Sequence, residues 1–137
     1  MYKNIMVPID LVHQDHLDKA IATAVDIAKL YGSTITFVAV TATPPSKVAH
    51  NPEEFARVLE EYTAGVRAKY DIDIAAKALV SHDPAVDLDE TLNKELHALG
   101  ADLVIMASHV PHFREYVFAS NAGFLAGHTD VSVMVVR

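Results

Sequence analysis

Ile5-Met6-Val7-Pro8-Ile9-Asp10 is a run of five apolar residues stopped by a carboxylate. A run of that length, rich in β-branched side chains, reads as a strand buried on both faces. The pattern then changes period. Leu17, Ala20, Ile21, Ala24, Ala28 and Tyr31 recur at helical spacing, and Gly32 follows as a C-terminal cap. Residues 35–40 form a second strand, again rich in β-branched side chains. Strand, helix and strand in that order predict a parallel pair joined by a crossover helix.

The alternation continues to the end of the chain. Residues 41–50 contain Pro44-Pro45 and no periodicity, which predicts a loop over the sheet. Asn51-Pro52-Glu53-Glu54 opens a helix: Asn caps, Pro suits the first helical position and the acids face the positive dipole end. Phe55, Leu59, Tyr62 and Val66 are its apolar stripe. Residues 72–80 are a weaker third strand. Asp83-Pro84 repeats the capping device, and Leu88, Leu92, Leu96 and Leu99 line a helix that ends at Gly100.

Leu103-Val104-Ile105-Met106-Ala107 is the fourth strand and Val131-Ser132-Val133-Met134-Val135-Val136 the fifth. Between them a loop over residues 108–119 and a short helix over 120–128 are predicted. Residues 1–137 thus read as one α/β domain, Rossmann-like, with an open five-stranded parallel sheet and helices on both faces. The expected strand order is 3-2-1-4-5, and right-handed crossovers leave few other topologies.

Composition excludes several classes. Half the residues are apolar, yet no apolar run approaches the roughly 20 residues of a membrane-spanning helix. The N-terminus lacks the apolar stretch of a secretory signal, so a cytoplasmic location is expected. With no cysteine there is no disulfide, thiolate metal site or thiol nucleophile. The formal charge is −7 and the basic residues are scattered singly, so neither nucleic acid nor anionic membrane is an expected partner.

In an open parallel sheet, ligands bind beyond the carboxyl ends of the strands, where chain order reverses. That crevice would have Ile9-Asp10 on one side and Ser108-His109 on the other. Val40-Thr41 and the helix start at Ser120-Asn121 would close it. Asp10 also suits a plain turn after a strand, and Ser120-Asn121 a plain cap. His13-x-x-His16 and His109-x-x-His112 are the close histidine pairs, and neither has a third ligand at a recognised spacing, so no metal is expected. Phosphate-loop, dinucleotide-fingerprint and nucleophile-elbow motifs are all absent. No catalytic residue is assigned.

Lys3-Asn4-Ile5-Met6-Val7-Pro8-Ile9-Asp10 resembles the first strand of the universal stress protein family. Asp102 through His109, with Val131 through Arg137, is similar to that family's last third. Ala107-Ser108-His109, Pro111 and Ser120-Asn121-Ala122 are similar to its short, single-domain, F-type bacterial subgroup. The resemblance implies a stress-response regulatory protein and a homodimer through residues 131–136, acting on an unknown protein partner. It also implies a site for ATP or ADP, with magnesium, and little or no turnover.

Many family members bind ATP through G-2x-G-9x-G-(S/T) after the fourth strand. Here Ala107 and Val110 stand at the first two glycines, and a loop one residue shorter places Ala119 at the third and Ser120 at the serine. The residues that resemblance assigns to nucleotide are Ile9, Asp10, Val40, Met106, Ala107, His109, Val110, Ala119, Ser120, Asn121 and Ala122. Val110 is ill suited to positive φ and Pro111 lacks an N–H, which weakens a phosphate cradle. The alternative is a dimeric partner-binding module whose nucleotide site has degenerated.

Overall fold

The computed structural model describes residues 1–108 and 117–137, the side chains of 117–121 excepted. The elements are β1 (Asn4–Pro8), a 3-10 helix (Leu11–His16), α1 (Asp18–Tyr31), β2 (Thr34–Thr41) and α2 (Pro52–Tyr70). They continue as β3 (Ile74–Val80), α3 (Pro84–Ala98), β4 (Leu103–Ala107), α4 (Val117–His128) and β5 (Ser132–Val136). All strands pair parallel in the expected order, β3-β2-β1-β4-β5.

Strand alternation divides the core into two layers. Ile5, Val7 and Ile9 face one way with Ile35 and Phe37, and pack beneath Ile21 and Val25 of α1 and Phe55 and Leu59 of α2. Met6 and Val38 face the other way with Val104 and Met106, against Leu88, Leu92 and Leu96 of α3 and Ala122 and Leu125 of α4. Successive side chains on opposite faces explain why the central strands read as unbroken apolar runs.

The helix ends follow local chemistry. Gly32 ends α1 at φ 69°, with its N–H on the Ala28 carbonyl. Asn51 caps α2 by accepting from the Glu54 N–H at 2.8 Å, while Glu54 Oε2 reaches back to the His50 N–H at 3.1 Å. That reciprocal pair satisfies two amides at the start of α2. The hydrogen bond from the His50 backbone holds the Glu54 carboxyl below its ordinary value.

Three expectations change. Residues 11–16 form a 3-10 helix that the apolar spacing did not indicate. β3 begins at Ile74, two residues late. And α4 begins at Val117, so Ser120 and Asn121 lie inside the helix and not at its start. An α-helix takes up amides from its fourth residue onward in its own i to i−4 ladder, which removes Ser120-Asn121 as the end-on donors expected of them.

β1 opens the switch point. It pairs with β2 over five positions up to Pro8↔Val38, but with β4 only at Ile5↔Leu103 and Met6↔Val104. The Ile9 N–H donates to the Val38 carbonyl of β2 at 2.8 Å. Since successive N–H groups along a strand point to opposite neighbours, the Pro8 position faces β4, where proline has no hydrogen to donate. The ladder to β4 ends before that point.

Candidate functional site

Beyond β1 the chain turns at Asp10, which has extended backbone (φ −97°, ψ 100°) and caps the 3-10 helix. Its Oδ1 accepts from the Val12 N–H at 3.0 Å, and its Oδ2 accepts from His13 Nδ1 at 2.8 Å. The plain-turn reading of Asp10 is therefore correct as far as it goes. An ionised carboxylate offers about four lone-pair positions, and these two contacts leave acceptor capacity over. The Asp10 side chain is 19% exposed and borders the cavity described next.

A cavity of about 330 Å³ lies at the carboxyl ends of β1 and β2. Ile9, Asp10, Leu11 and Val12 form one wall, and Val40, Thr41 and Ala42 of β2 and its exit form another. Ser46 and Val48 come from the following loop, Phe55 from α2, and Pro84, Ala85 and Leu88 from the start of α3. Among the described lining residues Asp10 is the one ionisable side chain, on walls that are otherwise almost wholly apolar. A concave apolar site with one polar anchor suits a flat, partly apolar ligand whose polar edge must be oriented.

The loop wall is built by Ser46. Its Oγ accepts from the N–H groups of Val48 and Ala49 at 3.2 and 3.3 Å, and its own N–H donates to the Ala49 carbonyl at 2.8 Å. This tight turn buries Ala49 and brings Val48 over the cavity.

Of the residues singled out in the sequence, Ile9, Asp10, Val40 and Thr41 meet on this cavity. Met106 is buried in the α3–α4 layer with Ala122, Ala107 is partly buried at the end of β4, and none of the three borders it. His109 and Val110 lie outside the described residues, as do the side chains of Ala119, Ser120 and Asn121. Sequence reasoning missed Phe55 and Leu88 as wall residues because both occupy core positions of a helical stripe. It missed Pro84-Ala85 because a capping signal says nothing of what faces the cap.

A model of the universal stress protein family matches residues 1–137. This chain belongs to the universal stress protein family. It is 27% identical to universal stress protein G of Escherichia coli O157:H7, with all of both chains covered. Among solved structures it is similar to a universal stress protein in complex with cAMP, at a TM-score of 0.71 and 17% identity over 99% of this chain and 97% of that one. A universal stress protein from Archaeoglobus fulgidus in complex with dAMP gives 0.68 and 15%, over 99% and 98%. An Arabidopsis thaliana family protein with AMP bound gives 0.61 and 14%, over 98% and 90%. These structural likenesses establish the shared fold.

In this universal stress protein the start of α3 is closed to an anion. Asp83 caps that helix, accepting from the Ala85 N–H at 3.2 Å, and Asp87 follows in its first turn. Two carboxylates at a helix start offset its positive dipole end. The α3 end of the cavity is therefore unfavourable for a negatively charged group.

Proposed function

We propose that this universal stress protein is a regulatory protein that binds an adenine nucleotide, ADP or ATP, with little or no turnover. The observation that carries the reading is the placement of Asp10: a carboxylate with spare acceptor capacity, bordering an apolar cavity at the carboxyl ends of β1 and β2. The base lies against Ile9 and Val40, and Asp10 accepts from a ribose hydroxyl or the adenine amino group. The phosphates run toward the β1–β4 gap and α4, with magnesium accompanying the triphosphate. Support also comes from the solved family members, whose bound ligands are cAMP, dAMP and AMP.

No nucleophile–base pair is found among the described residues around the cavity, which fits a binding role more closely than catalysis. The same reading has the chain acting as a homodimer through residues 131–136 on a protein partner, in the cytoplasm. Its support is β5, an edge strand with exposed apolar side chains.

Isothermal titration with ATP, ADP and AMP, with and without magnesium, tests the nucleotide reading. Binding should weaken about tenfold or more in Asp10→Ala, the loss expected for a hydrogen bond to a charged group. Absence of heat at millimolar nucleotide, from a preparation free of bound nucleotide, would establish the degenerate-site alternative instead.

A further inference from the structure

We infer that His13 is the positioning residue of the nucleotide site: it fixes the Asp10 carboxylate in the orientation that reads ribose hydroxyls. The inference rests on the nucleotide reading above and adds to it the residue that confers ribose recognition.

The geometry is local. Asp10 is held from two directions, by the Val12 N–H on Oδ1 at 3.0 Å and by His13 Nδ1 on Oδ2 at 2.8 Å. One contact leaves a carboxylate able to rotate about its Cβ–Cγ bond. Two contacts on different oxygens define its plane. An ionised carboxylate only accepts, so His13 Nδ1 carries the hydrogen in this pair, whether the ring is neutral or charged.

Backbone geometry makes the second contact. Inside the 3-10 helix His13 leaves helical dihedrals, at φ −123° and ψ 51°. Its N–H still bonds the Asp10 carbonyl at 3.2 Å, so residue 13 is tied to residue 10 through both main chain and ring. Both side chains are largely sheltered, His13 at 25% exposed and Asp10 at 19%. Partial burial strengthens such a contact relative to one in open water. A site group held by its own neighbours before ligand arrives is preorganised, and its ligand does not have to meet the cost of ordering it.

A ribose hydroxyl donates along a defined direction, so a mobile carboxylate would discriminate poorly between nucleosides with and without hydroxyls. Apolar contacts of the base with Ile9 and Val40 do not depend on that orientation. Adenosine and 2′,3′-dideoxyadenosine therefore separate His13's contribution from the integrity of the cavity.

The test is isothermal titration of the full chain with both nucleosides. Wild type should prefer adenosine by about tenfold, the value of one hydrogen bond to a charged group. In His13→Ala the preference should fall to about threefold or less while dideoxyadenosine affinity stays within about twofold. His13→Asn, whose Nδ2 donor reaches much the same place as Nδ1, should restore most of it. An unchanged preference in His13→Ala, or equal losses for both nucleosides, overturns the inference and leaves nucleotide binding intact. Wild-type binding without any ribose preference overturns it too. Failure of wild type to bind either nucleoside, together with no heat from millimolar ATP or ADP, removes the nucleotide reading itself.

Discussion

Asp102 at the entry to β4 accepts the backbone N–H of Lys3, on Oδ1 at 3.1 Å and Oδ2 at 2.8 Å, across 99 residues of sequence. The same carboxylate takes the Asn4 N–H at 3.0 Å, and the Asp102 N–H donates to the Asn4 carbonyl at 3.0 Å. The start of the chain is thereby fastened to the strand beside it, at the amino end of the β1–β4 pair. At the carboxyl end the same two strands part. One end fixed and the other open is the geometry a switch-point crevice needs.

Asp102→Ala should lower stability by about 1–2 kcal/mol, since two backbone donors lose a charged acceptor. Burial raises the Asp102 carboxyl, but hydrogen bonds from Lys3 and Asn4 outweigh it, so the net direction is down. A carboxylate with a depressed folded value contributes stability that is present above its unfolded value, near pH 4, and lost as pH falls through the folded one. Urea denaturation at pH 7 and at pH 3 checks both parts. The difference between wild type and variant should shrink in acid.

Gly32→Ala should cost about 1 kcal/mol. At φ 69° the residue is left-handed, and a Cβ there would meet nothing within 4 Å, so the cost is purely one of backbone conformation. Gly65→Ala is the control, because that glycine lies within α2, where an added Cβ also meets open space. There the sign should reverse, to a gain of about 0.5–1 kcal/mol. Thermal melts of the two variants should move in opposite directions.

Those end signals explain why the fold was legible. Gly32, Asn51-Pro52 and Asp83-Pro84 each state a helix boundary through backbone chemistry, and short apolar runs between them leave little but strands. The 3-10 helix was not legible, because Leu11-Val12-His13-Gln14-Asp15-His16 has no 3.6-residue period and its cap, Asp10, already looks like a strand end. The start of α4 misled for a related reason. Val117-Phe118-Ala119 is apolar, while Ser120-Asn121 are cap residues by type, yet the helix runs through them. For the cavity, periodicity names Phe55 and Leu88 as buried but cannot say whether they face another side chain or a void.

Asp89→Asn should raise stability at neutral pH. Asp89 Oδ1 is buried on α3 without a hydrogen-bond partner among the described residues, and desolvation pushes its carboxyl above the ordinary value, an effect that nearby His128 moderates. For an acid whose folded value lies above its unfolded one, the charged form costs stability above the folded value. That cost disappears as pH falls below the unfolded one. The advantage of Asn should thus be present at pH 7, shrink as pH falls through the raised folded value, and be gone below about pH 4. Melting temperatures across that range give the measurement, and an advantage that persists unchanged in acid would point to packing instead of charge.

The proposed homodimer is expected to fail in Met134→Lys. β5 pairs on one side with β4, register Leu103↔Ser132 through Ala107↔Val136, and is the last strand in the sheet. Met134 is 37% exposed and Val135 39%, so the strand carries apolar side chains as well as unpaired backbone along its outer edge. Such an edge templates pairing with another chain unless it is covered. A second copy of the same strand, antiparallel about a two-fold axis, satisfies both needs at once. Met134 is the middle residue of the five in β5, so a symmetric pairing over the whole strand would set it nearest the axis, facing its own copy. A lysine at that position sets two positive charges opposite each other in a cross-strand pair, which disfavours pairing. Because Met134 is partly exposed already, the substitution should leave the fold of each subunit intact, and circular dichroism can confirm that separately. Sedimentation equilibrium at micromolar concentration should return twice the chain mass for wild type and the single-chain mass for Met134→Lys. A wild-type monomer would rule out the dimer, and a variant that stays dimeric would move the interface away from β5.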